Sequence, residues 1–251
     1  MRNYSPNQPK KIVKLLFGKV EGLTSKYNGR ASVLPFFINP INYMLSKANG
    51  NEVIDKFEKS KRLDEAAKYY GLFLESLGFD YEADPQTIDT PKRVAKAWLD
   101  DLIKGSITNE PDITIFPNEE NYNGVVIQTG IKVNSMCAHH NLPFYGYAAV
   151  AYIPKENVIG LSKLNRVVEW FSRRPQMQES LTAQIHNFLT DKLDCEDVAV
   201  SVSGHHLCCG MRGVQHPDSI MTTNKFSGAF VEKDNLVREE FLHAIKMNNL
   251  K

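Results

Sequence analysis

Cysteine is scarce in this sequence, which has four among 251 residues: Cys137, Cys195, Cys208 and Cys209. So few, unevenly spaced cysteines exclude a disulfide-rich scaffold, and a chain of this length can bury a large core without one. A reducing, cytoplasmic setting is therefore expected. No apolar run approaches the roughly 20 residues that a membrane-spanning helix needs, and the first residues lack the apolar centre of a secretory signal. We therefore expect no membrane association.

The sequence also lacks a clear excess of charge of one sign, since 30 Lys and Arg stand against 29 Asp and Glu. That balance hides an uneven distribution: residues 1–62 hold 12 basic and 4 acidic residues, and residues 63–251 hold 18 and 25. A basic amino-terminal part raises the question of a polyanionic partner. However, it contains no recognised nucleic-acid-binding motif, so nucleic-acid binding is not favoured.

The residue pattern divides the chain into two parts. Residues 1–60 mix Pro, Gly and Asn with short apolar clusters, which predicts a basic, irregular arm of unknown role. From Leu63 to Leu77 apolar residues recur every three or four positions and Gly78 ends the pattern, which predicts the first helix of a domain over residues 61–251. Thr90 and Pro91 predict a second helix, with Thr90 as its N-cap.

Changes in the periodicity of the apolar residues predict the remaining helices and strands. Three segments have the alternation or short apolar runs of strands: 125–134, 147–153 and 198–202. A long helical stretch separates the second from the third, over residues 162–193 with a break at Pro175, and a last helix is expected over residues 235–247. This order predicts an α+β domain with antiparallel pairing and helices on one face of the sheet.

Two short segments hold most of the metal-capable side chains: Cys137-Ala138-His139-His140 and His205-His206-Leu207-Cys208-Cys209. Each follows a predicted strand. The Cys-x-x-His spacing lets a thiolate and an imidazole bind one ion from a single turn, and the second segment offers either cysteine as a third ligand. A catalytic zinc with one open position and a structural zinc with a fourth ligand both fit this pattern. A dithiol of the two adjacent cysteines is disfavoured, because neighbours in sequence pair poorly.

Basic residues supply a second set of candidates. Ser162 and Lys163 begin a helix, where a hydroxyl, an ammonium group and free backbone amides can meet an anion. Four further cations are candidates by their helix face or by their position after the second metal segment: Arg166, Arg212, Arg93 and Lys96. Each alone is typical of a solvated surface charge, but together with a metal they favour a phosphate-bearing substrate.

Glu179 completes the candidate site. It is either an exposed helix carboxylate, which is the commoner case, or an acceptor for two adjacent N–H groups of a guanine-like edge. The residue pattern alone does not choose between these two readings.

Several runs of residues, in this order along the chain, resemble the motifs of GTP cyclohydrolase I. They are Asp89–Lys96, Ser135–His140, Tyr152–Arg166, Arg174–Glu179 and His206–Val214. The resemblance extends from about residue 61 to the end, and residues 1–60 have no counterpart in it.

The resemblance implies a fold, an assembly and a reaction. The fold is the tunnelling fold, whose antiparallel sheets join into a barrel of five subunits, and two such rings stack as a decamer with sites between subunits. The reaction is hydrolysis of GTP at C8 with release of formate and rearrangement to 7,8-dihydroneopterin triphosphate, a first step toward pterins, folate or 7-deazaguanines.

The resemblance also implies roles for individual residues. Zinc would be held by Cys137, His140 and Cys208. Acid–base chemistry would fall to His139 and His206. Guanine would be bound by Glu179 with Gln178. The triphosphate would be bound by Ser162, Lys163, Arg166 and Arg212, with Arg93 and Lys96 serving a neighbouring subunit's site.

One residue departs from the family motif. Ala138 stands where the family has glutamate, between a metal ligand and a catalytic histidine. Losing that carboxylate can change the basicity of the adjacent histidines. This change leaves open a GTP- and zinc-binding homologue without activity. A second alternative, from the same fold but with different chemistry, is a tunnelling-fold enzyme of 7-deazaguanine metabolism.

Overall fold

The computed structural model describes residues 47–232 and 236–248, all within one compact unit. Most of the predicted arm lies outside these residues. The part of it that is described belongs to the domain, because Asn51 donates hydrogen bonds from Nδ2 to the carbonyl oxygens of Gly105 (3.0 Å) and Thr108 (2.8 Å). The predicted boundary at residue 61 falls inside helix α1, Lys56–Ser76, whose N-cap Asp55 accepts from the amide of Glu58.

Short helical segments follow α1. Helix α2 spans Thr90–Ala97, a π-helical turn spans Trp98–Leu102, and α3 spans Lys104–Ile107. The start of α2 differs from the prediction by one residue: Asp89 is the N-cap and Thr90 is already helical. Asp89 makes no capping hydrogen bond, because its carboxylate pairs with Arg93 (3.2 Å) instead.

A five-stranded sheet organises the rest of the chain. Its strands are β2 (Val126–Cys137), β3 (Pro143–Tyr152), β5 (Pro175–Gln176), β6 (Val198–His206) and β7 (Ile220–Phe226), in the order β5-β2-β3-β6-β7. All neighbours are antiparallel except β2 and β5. A separate antiparallel pair joins β1 (Ile115–Pro117) to β4 (Asn157–Ile159). The three predicted strands exist and are longer than predicted, whereas β1, β4, β5 and β7 were not predicted.

Two long helices cover one face of the sheet. They are α4 (Leu161–Ser172) and α5 (Gln178–Leu193), separated by a break around Pro175 as predicted. Leu164 and Val168 of α4 and Leu181 and Ile185 of α5 are buried against strand residues such as Val200. This layer is the main core of the protein.

The last helix, α7 (Leu236–Asn248), packs on the opposite face, so the prediction that helices lie on one face is wrong for this element. Phe241 of α7 and Phe230 of the short 3₁₀ turn Gly228–Phe230 contact Ala149, Ala151 and Ala199. These alanines alternate with the inward-facing valines of the same strands, because successive side chains point to opposite faces. Small side chains on that face leave room for the two phenylalanine rings.

A bulge in β2 lies near this helix. The pairing of β2 with β3 shifts register between Gln128 and Ile131, and Gly130 adopts φ +71° there. Glycine reaches such a φ at no steric cost, so the local sequence permits the irregularity. Among the described residues, no helix has the length and apolarity needed to span a membrane.

Candidate active site

The first metal segment forms the turn between β2 and β3. The turn is closed by hydrogen bonds from the Cys137 amide to the Leu142 carbonyl (2.8 Å) and from the Asn141 amide to the Cys137 carbonyl (2.9 Å). The amide of Ala138 donates to the carbonyl of Gln176 in β5 (3.3 Å). The turn is therefore fixed both to itself and to the edge of the sheet.

The second metal segment begins at the end of β6. Since β3 lies between β2 and β6, the end of β2 and the end of β6 meet at the start of β3, where Phe144 is opposite His206. The chain then turns into the short helix α6, Leu207–Gly210, which carries Cys208. The antiparallel order of these three strands is what brings two segments nearly 70 positions apart into one site.

Three ligand atoms converge there, from Cys137, His140 and Cys208, and all lie within 4.8 Å of one another. Zinc binds thiolate sulfur at about 2.3 Å and imidazole nitrogen at about 2.0–2.1 Å in a tetrahedron, so the ligand atoms around one ion lie about 3.5–3.8 Å apart. The Cys137 Sγ and the His140 Nδ1 are 3.9 Å apart, close to that spacing, and two thiols and one imidazole are donors that zinc prefers. The group contains Cys208, whereas Cys209 is exposed with its Sγ 4.0 Å from the Cys208 Sγ.

The thiol of Cys208 depends on a cation to ionise. The pKa of the Cys208 thiol is raised to about 11, and burial is the largest cause. The hydrogen bond to Cys137 and the charge of Cys137 come next, and those of Cys209 follow. Because the thiolate is the form that binds a metal, ion binding must release this proton. Metal affinity at this site therefore rises with pH.

His139 lies beside the metal group without belonging to it. Its side chain is exposed, its Nδ1 is 3.9 Å from the Cys137 Sγ, and its ring is 6.2 Å from that of His140 at an interplanar angle of 69°. An exposed imidazole next to a metal group is accessible to a bound substrate, and the acid–base role of His139 stays a prediction.

His206 is held in one orientation by two neighbours. Its ring stacks on Phe144, with centroids 4.5 Å apart and planes 7° apart, and its Nε2 is 2.9 Å from Gln178 Oε1. Burial lowers the pKa of His206, while the negative charge of Glu179 acts in the opposite direction. The imidazole is therefore neutral at pH 7, and Glu179 is close enough to influence its charge.

Gln178 has a different position from the predicted guanine contact. It is buried, 1% exposed, and its Nε2 donates to the carbonyls of Val202 (2.9 Å) and Met221 (3.0 Å) and to Thr223 Oγ1 (3.1 Å). These acceptors fix the amide so that Oε1 faces His206. The side chain thus supports the histidine from behind, and the exposed Glu179 is the member of the pair that faces solvent.

The six predicted triphosphate residues are exposed or partly exposed in the single chain. Ser162, Lys163 and Arg166 occupy the first turns of α4, Arg212 is exposed after α6, and Arg93 and Lys96 project from α2. Arg93 pairs with Asp89 and Lys96 with Asp100. Within the described part of the chain, no side-chain hydrogen bond or ion pair joins these six residues to the metal group.

Sequence reasoning missed the polar layer behind the metal turn. Arg174 is 4% exposed and donates from Nη1 to Gln184 Oε1 (3.1 Å), and Gln184 donates to Gln176 Oε1 (3.0 Å). Ser135 Oγ donates to the Arg174 carbonyl (3.0 Å). The only sequence signal was the density of Arg and Gln around Pro175, which does not distinguish buried from exposed side chains.

Comparisons with known proteins identify the family of this chain. The sequence profile of the family described as GTP cyclohydrolase I matches residues 66–246. A protein of Sulfurihydrogenibium sp. named GTP cyclohydrolase 1 is 45% identical over 193 residues, which cover 77% of this chain and 96% of that protein. Proteins of the same name from Blochmanniella pennsylvanica (41%) and Enterobacter sp. (42%) cover 69% and 66% of this chain, and 78% and 75% of their own lengths.

A solved structure titled as an archaeosine synthase QueF-Like in the apo form is far more distant. It is 15% identical, covers 41% of this chain and 93% of its own, and has a TM-score of 0.32, which carries no argument about this protein. The family profile covers most of the chain and the relatives are well above 30% identical. The Cys137, His140 and Cys208 group, His206 and Glu179 thus belong to a chain that is a member of the GTP cyclohydrolase I family.

Proposed function

We propose that this protein is a zinc-dependent GTP cyclohydrolase, which hydrolyses GTP at C8, releases formate and forms 7,8-dihydroneopterin triphosphate. The observation that carries the proposal is the three-ligand group of Cys137, His140 and Cys208 next to a fixed, neutral His206. Its two thiols require a reducing compartment, in line with the cytoplasmic setting expected from the sequence.

The residues of the metal group would hold zinc, which supplies Lewis acidity and lowers the pKa of bound water toward 7. His139 is positioned to give a proton to the purine ring, since it is exposed beside the group. His206 has its Nε2–H committed to Gln178 Oε1, so its Nδ1 lone pair is the atom that accepts a proton during ring opening.

Substrate binding would divide between two regions. Glu179, exposed at the start of α5, would accept from the ring N–H and the exocyclic amine of guanine. The triphosphate would meet the first turns of α4 at Ser162, Lys163 and Arg166, with Arg212 after α6. Gln178 would act on the reaction through His206.

Assembly would complete the site. Members of the family with the tunnelling fold close their sheets into barrels, and we propose the same stacked pentamers here. In support, β7 pairs only with β6 among the described strands, and its Ile220 is 58% exposed. Tyr147 on the sheet and Phe73 on α1 are also exposed by half or more. Such apolar surface is typical of subunit interfaces, and a neighbour would bring in Arg93 and Lys96.

Two adjacent cysteines allow a matched test of the metal group. Cys208→Ser should lower bound zinc to well under one per chain and reduce formate release at least about 10²-fold, because a hydroxyl is a poor zinc ligand. Cys209→Ser, which changes the neighbouring thiol outside the group, should keep zinc and rate within about twofold. Metal analysis and a formate assay on both variants provide the measurement. Equal effects in both would contradict the assigned ligand set.

A further inference from the structure

A pocket of about 200 Å³ lies between α3, the segment 108–111 and one face of α4. Its charged lining residues are Lys104, Arg166, Glu169 and Arg173. Arg166 and Glu169 lie three residues apart on one face of α4, and Arg173 follows four residues later, directly after the last residue of the helix. Three cations and one carboxylate therefore share a small concave surface, which has a formal charge of +2.

The charges of these cations are not used elsewhere in the described structure. None of Lys104, Arg166 and Arg173 is among its ion pairs within 4.0 Å, and neither is Glu169. Residues 63–251 as a whole carry 18 basic against 25 acidic residues. A concentration of free positive charge in an acidic domain indicates a site for an anion, since a local cluster can bind one regardless of the net charge.

The walls of the pocket are held in place before any ligand arrives. The amide of Gly105 donates to the carbonyl of Arg173 (3.0 Å), and Trp170 Nε1 donates to the carbonyl of Thr108 (3.4 Å). A Cβ at position 105 would stand 1.8 Å from the Trp170 carbonyl oxygen, so α3 and α4 are in the closest contact their backbones allow. A preformed pocket loses less entropy on binding than a mobile one.

A fourth positive charge, that of Arg174, lies behind Trp170, which forms part of the pocket wall. The guanidinium of Arg174 lies 4.0 Å from the centre of the Trp170 ring, which lines the pocket, and the residue is 4% exposed. Within the described part of the chain its Nε and Nη2 have no hydrogen-bond partner, and no carboxylate pairs with it. Its charge is thus uncompensated in a low-dielectric interior, where it raises the potential around the pocket.

We propose that this pocket binds a phosphate group, with Arg173 and Lys104 as its principal contacts. The volume is below the roughly 300 Å³ at which pockets for whole organic ligands begin, so it suits a small anion. Phosphate could have two sources. One is the terminal phosphate of GTP, which rests on the proposed function because Arg166 is also a predicted triphosphate contact. The other is free inorganic phosphate.

Calorimetric titration of the full-length protein with inorganic phosphate tests the pocket directly. Arg173→Gln and Lys104→Gln should each weaken phosphate binding about tenfold, the usual effect of losing one charge-assisted hydrogen bond. Glu169→Gln should strengthen it several-fold, because the only carboxylate of the pocket is removed. Lys246→Gln is the matched control: it removes an exposed cation of α7 outside the pocket and should leave phosphate affinity unchanged.

The same variants separate the two sources. If the terminal phosphate of GTP occupies the pocket, saturating GTP displaces inorganic phosphate, and Arg173→Gln raises KM for GTP about tenfold with kcat kept. If free phosphate is the occupant, phosphate binds equally well in the presence of GTP.

Failure of the pocket and failure of the proposed function are distinguishable. Phosphate binding that Arg173→Gln, Lys104→Gln and Glu169→Gln leave unchanged, or that Lys246→Gln weakens equally, overturns the pocket even if the wild type releases formate. Phosphate binding with the expected variant pattern, in a wild type that releases no formate from GTP, overturns the proposed function and leaves the pocket standing.

Discussion

At the scale of single residues, the site depends on groups whose environment sets their protonation. His206 is neutral because it is half-buried, and its proton lies on Nε2 because Gln178 Oε1 can only accept. Gln178 in turn has no freedom to flip, since its Nε2 donates to two backbone carbonyls and a threonine hydroxyl. A buried amide thus determines which nitrogen of His206, the proposed acid–base group, is available.

Gln178→Met tests that relationship. The variant keeps the volume of the side chain but leaves His206 without its acceptor, so we expect kcat to fall by about 10²-fold, the lower range for loss of a positioned acid–base group. The dependence of kcat on pH should shift while the zinc content stays at the wild-type level. Thr223→Val is the control, because Gln178 keeps both backbone acceptors in it and kcat should change less than about threefold. An unchanged kcat in Gln178→Met would contradict the role.

Ala138 is the residue that departs from the family motif, and the structure places it in an exposed position in the metal turn. A glutamate there would have room to extend into solvent. We therefore expect Ala138→Glu to fold, to keep its zinc and to change the rate of formate release by less than about tenfold through the basicity of His139 and His140. Metal analysis and the rate of formate release check this. Loss of zinc would show that the turn cannot accept the family residue.

At the scale of elements, the sequence predicted what local pattern encodes and missed what depends on pairing. Helix α1, the break at Pro175 and three strands follow from period and turn residues alone. The strand β7 was missed because its residues, from Ile220 to Phe226, are mostly polar or exposed and carry little apolar alternation. It is a strand because β6 offers a free edge, which is a property of the sheet.

The same distinction holds for the site. Cys137 and His140 could be predicted as metal ligands because their spacing is local, whereas the choice of Cys208 over Cys209 came from the family resemblance. The structure brings these three residues together. The burial of Gln178 could not be predicted from local sequence, because the groups that accept its hydrogen bonds belong to β6 and β7. The face on which α7 lies is also a tertiary property, determined by three alanines in β3 and β6.

Helix α5 carries a buried histidine that makes stability depend on pH. His186 is 4% exposed, its Nε2 is 2.9 Å from Ser227 Oγ, and burial lowers its pKa. Its pKa is about 6.5 when unfolded, so the unfolded state binds more protons as the pH falls through 6.5 and below. We therefore expect the free energy of unfolding to decline over that range. Urea denaturation should show a shallower decline for His186→Gln, and equal slopes would contradict the assignment.

At the scale of the whole molecule, the domain begins earlier in the chain than the change of charge at residue 62 suggested. Residues 49–55 are hydrogen-bonded to the domain, through Asn51 to the 105–108 segment and through Asp55 to the start of α1. Glu52 also accepts from Arg62 (2.9 Å). The domain therefore begins before α1, the first helix that the apolar periodicity predicts.

Two truncations test this boundary. Removal of residues 1–46 should leave the rate of formate release within about twofold of the full chain, because the described contacts of the domain are kept. Removal of residues 1–60 also deletes the N-cap of α1 and the Asn51 contacts, so we expect a loss of about 1–3 kcal/mol in stability. Thermal unfolding and activity of both proteins provide the comparison. Equal stability would place the boundary at residue 61 after all.

The central claim is the reaction at C8, and GTP labelled at that carbon tests it most directly. Incubated with purified, zinc-loaded protein, such GTP should release labelled formate and form a fluorescent pterin in equal amounts, and both products should disappear in Cys208→Ser. Zinc and GTP binding of the wild type without release of labelled formate would contradict the account and identify the protein as a binding homologue.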